Sequence, residues 1–207
     1  RDFLENHDCQ TIYGRIITML FQIDDVSFCT QKSVGIRLED LKTHPTETLL
    51  ALCDWMGIGV QESLYEMTAQ GKKWWGDPTS QDYSKQGMTP FGDVTIRRNV
   101  GAIFSDDDQF ILRTLFYPFS VRFGYVEEDP EQFKNDLRLV RPMIDQLFDF
   151  ERVALQKTST DVQQFIQSGP YQYFRAGLIA RWNILDEFDT YPNMLELLSI
   201  GSPINND

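Results

Sequence analysis

The sequence predicts a mainly α-helical protein with few short strands. Apolar residues make up 42% of the 207 positions, which is enough for a packed core in one domain or two small ones. They recur at helical spacing along several stretches. Residues 32–37 are a short stretch with β-branched residues and are predicted to form a strand.

The first third of the chain is predicted to form a helix, a strand and a second helix. Residues 11–23 are apolar and favour a helix, and the strand at 32–37 follows. Pro45 suits the first turn of the next helix, and Gly57 suits its end. The apolar face of that helix comprises Leu49, Leu52, Cys53 and Met56.

Glycines and prolines interrupt residues 70–100, which predicts a long irregular loop of the kind that often carries function. Ser105, with Asp108 three residues later, then predicts the start of a helix that runs out near Gly124.

The last third is predicted to be helical. Asp129 and Pro130 begin a helix that Pro142 should kink or split, and residues 168–170 break the chain before a further helix. The first apolar stripe comprises Phe133, Leu137, Val140, Ile144 and Leu147. The second comprises Phe174, Leu178, Trp182, Leu185 and Phe188.

The net charge of −12 makes the chain a poor partner for nucleic acids and for anionic membranes. No apolar run approaches the length of a membrane-spanning helix. Residues 72–98 are the exception to the acidic character, because they carry five basic and three acidic residues. An anionic ligand is expected at this basic window first.

The three cysteines, Cys9, Cys29 and Cys53, have no metal-ligand spacing, and their odd number argues against a closed set of disulfides. We expect buried free thiols in a reducing compartment, no bound metal and a cytoplasmic location.

The most specific stretch is Ile36 to Ile58, IRLEDLKTHPTETLLALCDWMGI. It resembles the sulfotransferase family, in which R-[YF]-E-D-L follows a core strand and a proline opens a helix ending L-C-x-[FW]-[LM]-G. The matching positions are Arg37, Glu39, Asp40, Leu41, Pro45, Leu49, Leu52, Cys53, Trp55 and Gly57. Leu38 stands where an aromatic residue is usual. The resemblance implies the C-terminal part of a P-loop-type α/β sulfotransferase fold.

A second matching segment runs from Lys73 to Asp77 and continues at Thr95 to Gly101. It is similar to the family's late loop, which grips the 3′-phosphate of 3′-phosphoadenosine 5′-phosphosulfate (PAPS). Arginine forks and backbone N–H groups suit a phosphate dianion. The residues that this implies for the co-substrate are Arg97, Arg98, Asn99 and Gly101. Asn99 and Ala102-Ile103 depart from the family pattern, and a solvated surface pair is the alternative for the two arginines.

Arg1-Asp2 is similar to the start of the family's R-[DN]-P element, which implies Arg1 as a further phosphate ligand, although Phe3 replaces the proline. Residues 104–125 are similar to the family's closing helix. The resemblance covers residues 30–126 and, more weakly, 1–29. The predicted domains are therefore a sulfotransferase-like part at 1–128 and an appended helical region at 129–207.

No G-x-x-x-x-G-K-[ST] loop occurs in the sequence. The resemblance implies that this loop and the catalytic histidine precede the matched region, so we expect a C-terminal fragment that is inactive alone. The catalytic residue is not assigned. His44 is expected in a helix cap, and His7 is a weak candidate for a general base.

The resemblance implies a sulfotransferase that moves a sulfuryl group from PAPS to a hydroxyl or amine of a small-molecule or carbohydrate acceptor. Trp74, Trp75 and Tyr83 are placed near that acceptor, with packing of the loop onto the core as the alternative. The competing hypothesis is a catalytically inactive helical binding or interaction module. A P-loop kinase is disfavoured because no Walker lysine is present.

Overall fold

The computed structural model describes residues 9–22, 33–66, 68–69, 72–73, 103–187 and 195–200. These residues are mainly helical with few short strands, which confirms that part of the predicted fold class. The chain divides into two compact units. The first, which we call the helical unit, comprises Arg1–Ser33 and Arg98–Leu195, and the second, the strand–helix unit, comprises Val34–Arg97 and Glu196–Asp207.

In chain order the described elements are α1 (Cys9–Gln22), β1 (Val34–Gly35), α2 (Leu38–Thr43), α3 (Pro45–Met56), a 3₁₀ turn (Glu62–Tyr65), β2 (Thr68–Ala69), β3 (Lys72–Lys73), α4 (Asp106–Leu115), α5 (Tyr117–Arg122), α6 (Pro130–Ile144), α7 (Asp149–Thr158), α8 (Val162–Ile166), α9 (Gly169–Glu187) and β4 (Glu196–Leu197).

Four described helices of the helical unit, α4, α6, α8 and α9, begin with a side chain that accepts a hydrogen bond from their first turn. Ser105 accepts from the Asp108 N–H at 3.2 Å, as predicted. Asp129 does the same at the start of α6, and Asp161 at the start of α8. Each cap satisfies a backbone donor that would otherwise have no partner within the helix.

The core of the helical unit lies among α1, α4, α6 and α9. Helix α9 packs against α1 and α6, and α4 packs against α6. The rings of Tyr13 and Phe174 stack with their centroids 4.2 Å apart. The described residues of the predicted stripes point into this core, in which Leu115, Val140, Ile144, Phe174 and Leu178 are fully buried; Phe188, at the end of the second stripe, lies outside the described residues.

The helices after residue 129 thus share a core with helices that precede it. Within the helical unit, α6 packs against α4 and α9 packs against α1. The boundary predicted after residue 128 marks where the sequence resemblance ends. The compact units divide the chain at other positions. The boundary after residue 128 concerns sequence resemblance and stays a prediction.

Helix α6 is not split at Pro142 but continues to Ile144. A proline removes the hydrogen bond to the carbonyl four residues earlier. That carbonyl belongs to Arg138, which is exposed, so water can replace the lost donor. Helices α7 and α8, which the sequence did not predict, follow as short elements separated at Ser159, whose φ is 51°.

The strand–helix unit contains two small ladders. Strand β1 pairs in parallel with β4, Val34 opposite Glu196, and the N–H of Leu198 donates to the carbonyl of Gly35 at 2.8 Å. Strands β2 and β3 pair in antiparallel fashion. The predicted strand at 32–37 is thus shorter than expected, and α2 follows it before the predicted helix begins.

Helix α3 has the predicted start and end. Pro45 lies in its first turn, and Gly57 ends it in a left-handed conformation with φ 67°. Leu49 and Cys53 are buried, whereas Met56 is exposed. The predicted apolar face therefore ends at Cys53.

Two glycines of the helical unit offer a test of the α1–α9 packing. A Cβ at Gly177 would overlap Cδ1 of Ile17, whereas a Cβ at Gly14 would meet nothing within 4 Å. We expect Gly177→Val to lower the free energy of unfolding by about 1–3 kcal/mol through overpacking. Gly14→Ala should raise it by about 0.5–1 kcal/mol, since alanine favours a helix. Urea unfolding measures both, and a Gly177→Val variant as stable as the wild type would refute this packing.

Candidate functional site

The predicted site lies outside the described residues. The residues predicted for PAPS are Arg1, Arg97, Arg98, Asn99 and Gly101, and those predicted for the acceptor are Trp74, Trp75 and Tyr83. His7 is also outside the described residues. Their roles stay predictions. What the structure does describe is the local geometry of the matched segment and the polar groups of the helical unit.

In the matched segment, Arg37 and Asp40 form a two-pronged ion pair. Nε of Arg37 donates to Oδ2 of Asp40 at 2.6 Å, and Nη2 donates to Oδ1 at 2.7 Å. Asp40 is buried in the first turn of α2, where a negative charge also favours the helix dipole. The two hydrogen bonds from Arg37 therefore hold the segment after β1 against the first turn of α2.

His44 occupies the N-cap position of α3, as predicted. Its backbone carbonyl accepts from the hydroxyl of Thr48 at 2.7 Å. Its Nδ1 lies 2.8 Å from Oγ1 of Thr43, and its side chain is exposed. These contacts give His44 a local structural role at the junction of α2 and α3.

Among the described residues of the helical unit, the buried carboxylate of Glu151, on α7, accepts hydrogen bonds from three donors. Tyr13 donates to Oε1 from α1 at 2.5 Å, and the N–H of Phe148 donates to Oε2 at 2.7 Å. Arg175, on α9, donates to Oε2 and forms an ion pair with it. One carboxylate thus connects three helices.

Aromatic rings surround the guanidinium of Arg175. Its Cζ lies 4.6 Å from the ring centroids of both Phe148 and Tyr171, and 5.4 Å from that of Phe174. Nη2 also donates to the carbonyl of Gln146 at 2.8 Å. Nε and Nη1 are buried without a hydrogen-bond partner in the described part of the chain. Cation–π attraction therefore offsets part of the cost of burying this charge.

The surroundings of Tyr13 keep it a hydrogen-bond donor. Burial, followed by the negative charge of Glu151, raises the pKa of Tyr13 far above its ordinary value. Burial also raises the pKa of Glu151, and the charge of Arg175 and the Tyr13 hydrogen bond oppose that effect. A phenol that does not ionise cannot serve as a general base. Tyr13, Glu151 and Arg175 are all buried and joined through the carboxylate of Glu151, so we assign them to holding the helices together.

Asp108, on α4, is a second buried carboxylate, and it caps α7 from a distance in sequence. Its Oδ1 accepts from the N–H of Asp149 at 2.9 Å, and its Oδ2 accepts from the N–H of Phe150 at 3.1 Å. Burial raises the pKa of Asp108, while these two hydrogen bonds act in the opposite direction. Helix α7 thus receives its cap from another helix.

A small open pocket of about 60 Å³ lies beside this cap. Its charged lining residues are Asp107, Asp108, Asp149 and Arg152. Arg152 already pairs with Asp149 at 2.7 Å. An excess of carboxylates repels a phosphate or sulfate dianion, so this pocket does not suit the predicted co-substrate.

Metal ligands, membrane spans and thiols can be judged only where the structure describes the chain. Within those ranges no group of three or more histidine, cysteine or acidic side chains is placed to hold an ion. No described helix is both long and apolar enough to cross a membrane. Cys9 and Cys53 are buried, as predicted, and Cys29 lies outside the described ranges.

The sequence interpretation missed the buried charges of the helical unit. Arg175 and Arg181 fall within the apolar stripe of α9 that Phe174 and Leu178 define. A charged residue at such a position is a recognisable signal of a buried, paired charge. Glu151 gives a weaker signal, because the residue three positions before it is Phe148, which lacks the hydroxyl of an ordinary capping box.

The Tyr13 hydroxyl provides a pH-dependent test of the Glu151 contacts. We expect Tyr13→Phe to lower the free energy of unfolding by about 1.5–3 kcal/mol near neutral pH, since it loses a hydrogen bond to a carboxylate. The folded-state pKa of Tyr13 is raised, so the stability that depends on the phenol is complete below the unfolded-state pKa of about 10. It falls as the pH rises above that value, and the deficit of Tyr13→Phe should shrink there.

Urea unfolding near pH 7 and above about pH 10 measures this deficit. Tyr173→Phe is the matched control, because Tyr173 is 67% exposed on α9 and should follow the wild type at both pH values. A Tyr13→Phe deficit that grew with pH would contradict the assigned environment.

Removing the carboxylate of Asp108 tests the cap of α7. Asp108→Ala leaves two backbone N–H groups without their acceptor and should lower the free energy of unfolding by about 2–4 kcal/mol. Asp107→Ala removes the neighbouring exposed carboxylate and should cost less than about 1 kcal/mol. Equal losses in the two variants, measured by urea unfolding, would show that Asp108 is not the cap.

No family model, curated protein or solved structure matches this chain.

Proposed function

We propose that this chain binds the 3′-phosphate of PAPS and forms part of a sulfotransferase acting on an acceptor hydroxyl or amine. The observation that carries the proposal is the sequence pattern from Ile36 to Ile58, together with the basic segment from Thr95 to Gly101. The described geometry supports the first of these segments, and the second rests on sequence alone.

The matched residues of the first segment have definite local roles. Arg37 and Asp40 pair where β1 leads into α2, Pro45 begins α3, and Gly57 ends it. Proline at a helix start and glycine at a helix end are common in proteins, so these two positions agree with the family's pattern without being specific to it. The order of strand, R-x-E-D-L segment and proline-started helix supports a local fold shared with the family, and α2 begins within the R-x-E-D-L segment.

The donor contact itself is proposed for Arg97 and Arg98. The acidic pocket beside Asp108 is unsuited to an anion, whereas residues 72–98 form the basic window of a chain with a net charge of −12. Guanidinium forks and the backbone N–H groups near Gly101 would hold the two negative charges of the 3′-phosphate. Fixed there, the donor would present its sulfur to the acceptor.

In the proposed reaction, the acceptor oxygen or nitrogen loses its proton to a base and attacks sulfur in line. The bond between sulfur and the 5′-phosphate oxygen breaks, and 3′-phosphoadenosine 5′-phosphate leaves with the electron pair. Positive groups near the leaving phosphate stabilise the developing charge. Trp74, Trp75 and Tyr83 would form one wall of the acceptor pocket, and the base is not assigned within this chain.

A helical binding module without catalysis is the second candidate. Two buried carboxylates of the helical unit, Glu151 and Asp108, are committed to holding helices. Asn99 and Ala102 also depart from the family pattern. These observations favour a scaffold role for the helical unit, and nucleotide binding distinguishes the two candidates.

Calorimetric titration of 3′-phosphoadenosine 5′-phosphate into the chain tests the proposal. Arg97→Ala and Arg98→Ala should each weaken binding by about ten- to a hundred-fold, because each loses a charged hydrogen bond worth about 1.5–3 kcal/mol. Arg138→Ala removes an equal charge from the exposed face of α6 and should bind like the wild type. Adenosine 5′-phosphate, which lacks the 3′-phosphate, should bind all four proteins equally weakly.

Two outcomes would contradict the donor contact. Equal affinities of the wild type and both arginine variants for the 3′-phosphorylated nucleotide would place these arginines on a solvated surface. No binding of that nucleotide at millimolar concentration would favour the helical binding module.

A further inference from the structure

The end of α3 and the residues after it present a run of apolar side chains to solvent. Trp55 is 41% exposed, Met56 52%, Ile58 49% and Val60 41%. We refer to these four residues as the α3-end patch. They fall within six consecutive positions, so they span at most about 20 Å of chain. Several exposed apolar side chains so close along the chain mark an interaction site more often than scattered single residues do.

Local hydrogen bonds fix the backbone of the α3-end patch. The N–H of Gly57 donates to the carbonyl of Asp54, and the N–H of Ile58 donates to that of Cys53, each at 3.0 Å. At helix ends of this type, the apolar residue after the glycine commonly packs back on the last turn. Ile58 instead remains half exposed, so packing within this helix end does not bury its side chain.

Acidic side chains flank the patch along the chain. Residues 45–66 contain no lysine or arginine. Their acidic residues are Glu47, Asp54, Glu62 and Glu66. Asp54, Glu62 and Glu66 are exposed, and the carboxyl end of α3 adds partial negative charge with no basic residue in its last turn. The patch is therefore flanked along the chain by exposed acidic side chains, which we call its acidic rim.

This charge distribution favours some binding partners of the patch over others. A second copy of the chain would bring another −12 of net charge and the same acidic rim. An anionic membrane is repelled for the same reason. A complementary surface needs apolar side chains flanked by cations, and a cation placed over the exposed ring of Trp55 gains further attraction.

We propose that the α3-end patch binds a basic amphipathic helix of a partner protein. The apolar face of such a helix would cover Trp55, Met56 and Ile58, and its lysines or arginines would meet Asp54 and Glu62. This proposal is independent of nucleotide binding, because none of its residues belongs to the predicted donor site.

A labelled synthetic peptide provides the test. The probe is a helix of about four turns made of leucine and lysine, with leucine at helical spacing, and its match carries glutamate in place of lysine. Fluorescence anisotropy with the whole chain is measured near physiological salt, about 0.15 M. The lysine peptide should bind, and the glutamate peptide should bind at least about tenfold more weakly.

Variants of the α3-end patch distinguish peptide binding at this site from general electrostatic attraction of the peptide to an acidic protein. Trp55→Ala and Ile58→Ser should each weaken the lysine peptide by about ten- to a hundred-fold. Leu139→Ser, at a residue 60% exposed on α6, is the matched control and should bind like the wild type. Glu62→Gln with Glu66→Gln should weaken binding and reduce its salt dependence.

Thermal unfolding shows whether each variant is folded, and Met56→Gln replaces any variant that is not. Equal binding of the lysine peptide to the wild type and the folded patch variants would overturn the proposal. Sedimentation that revealed a dimer, abolished by Ile58→Ser, would also overturn it, because the patch would then belong to a second copy.

Discussion

The helical unit depends on a carboxylate that has been removed from water. Burying an ionised glutamate is costly unless donors replace its hydration, and Glu151 obtains those donors from α1, from the residue before α7 and from α9. Each donor has to arrive at the correct distance, so the positions of these helices are mutually constrained. Apolar packing alone is less directional, and it would permit small shifts of α1 along α9 that this polar contact opposes.

Helix α7 shows how one constraint leads to the next. Its first turn includes Glu151 and receives its cap from Asp108 on α4. The guanidinium of Arg175 then meets both Glu151 and the ring of Phe148 just before α7. A short helix with weak intrinsic stability is thereby held by charges from two neighbouring helices. The buried polar groups therefore determine where α7 lies.

Sequence patterns predicted the elements whose signals are local. Ser105 with Asp108, Pro45 with Gly57, and the stripes of α6 and α9 each follow from residues only a few positions apart. The patterns missed α7, because its cap comes from Asp108 and not from its own preceding residues. They also did not predict β4 as the partner of β1, since pairing of two-residue strands across the chain leaves no periodic trace. The predicted donor and acceptor residues lie outside the described ranges, and their roles stay predictions.

The pairing of β1 with β4 bears on the order in which the chain folds during synthesis. Val34 leaves the ribosome early, whereas its partner Glu196 follows only after every described helix of the chain has been made. Contacts so distant in sequence form late, because the closure of a long loop must precede them. The helical unit can therefore begin to fold on the ribosome while β1 still lacks its neighbour. The strand–helix unit is completed last, although most of its residues are synthesised before the longer segment of the helical unit, Arg98–Leu195.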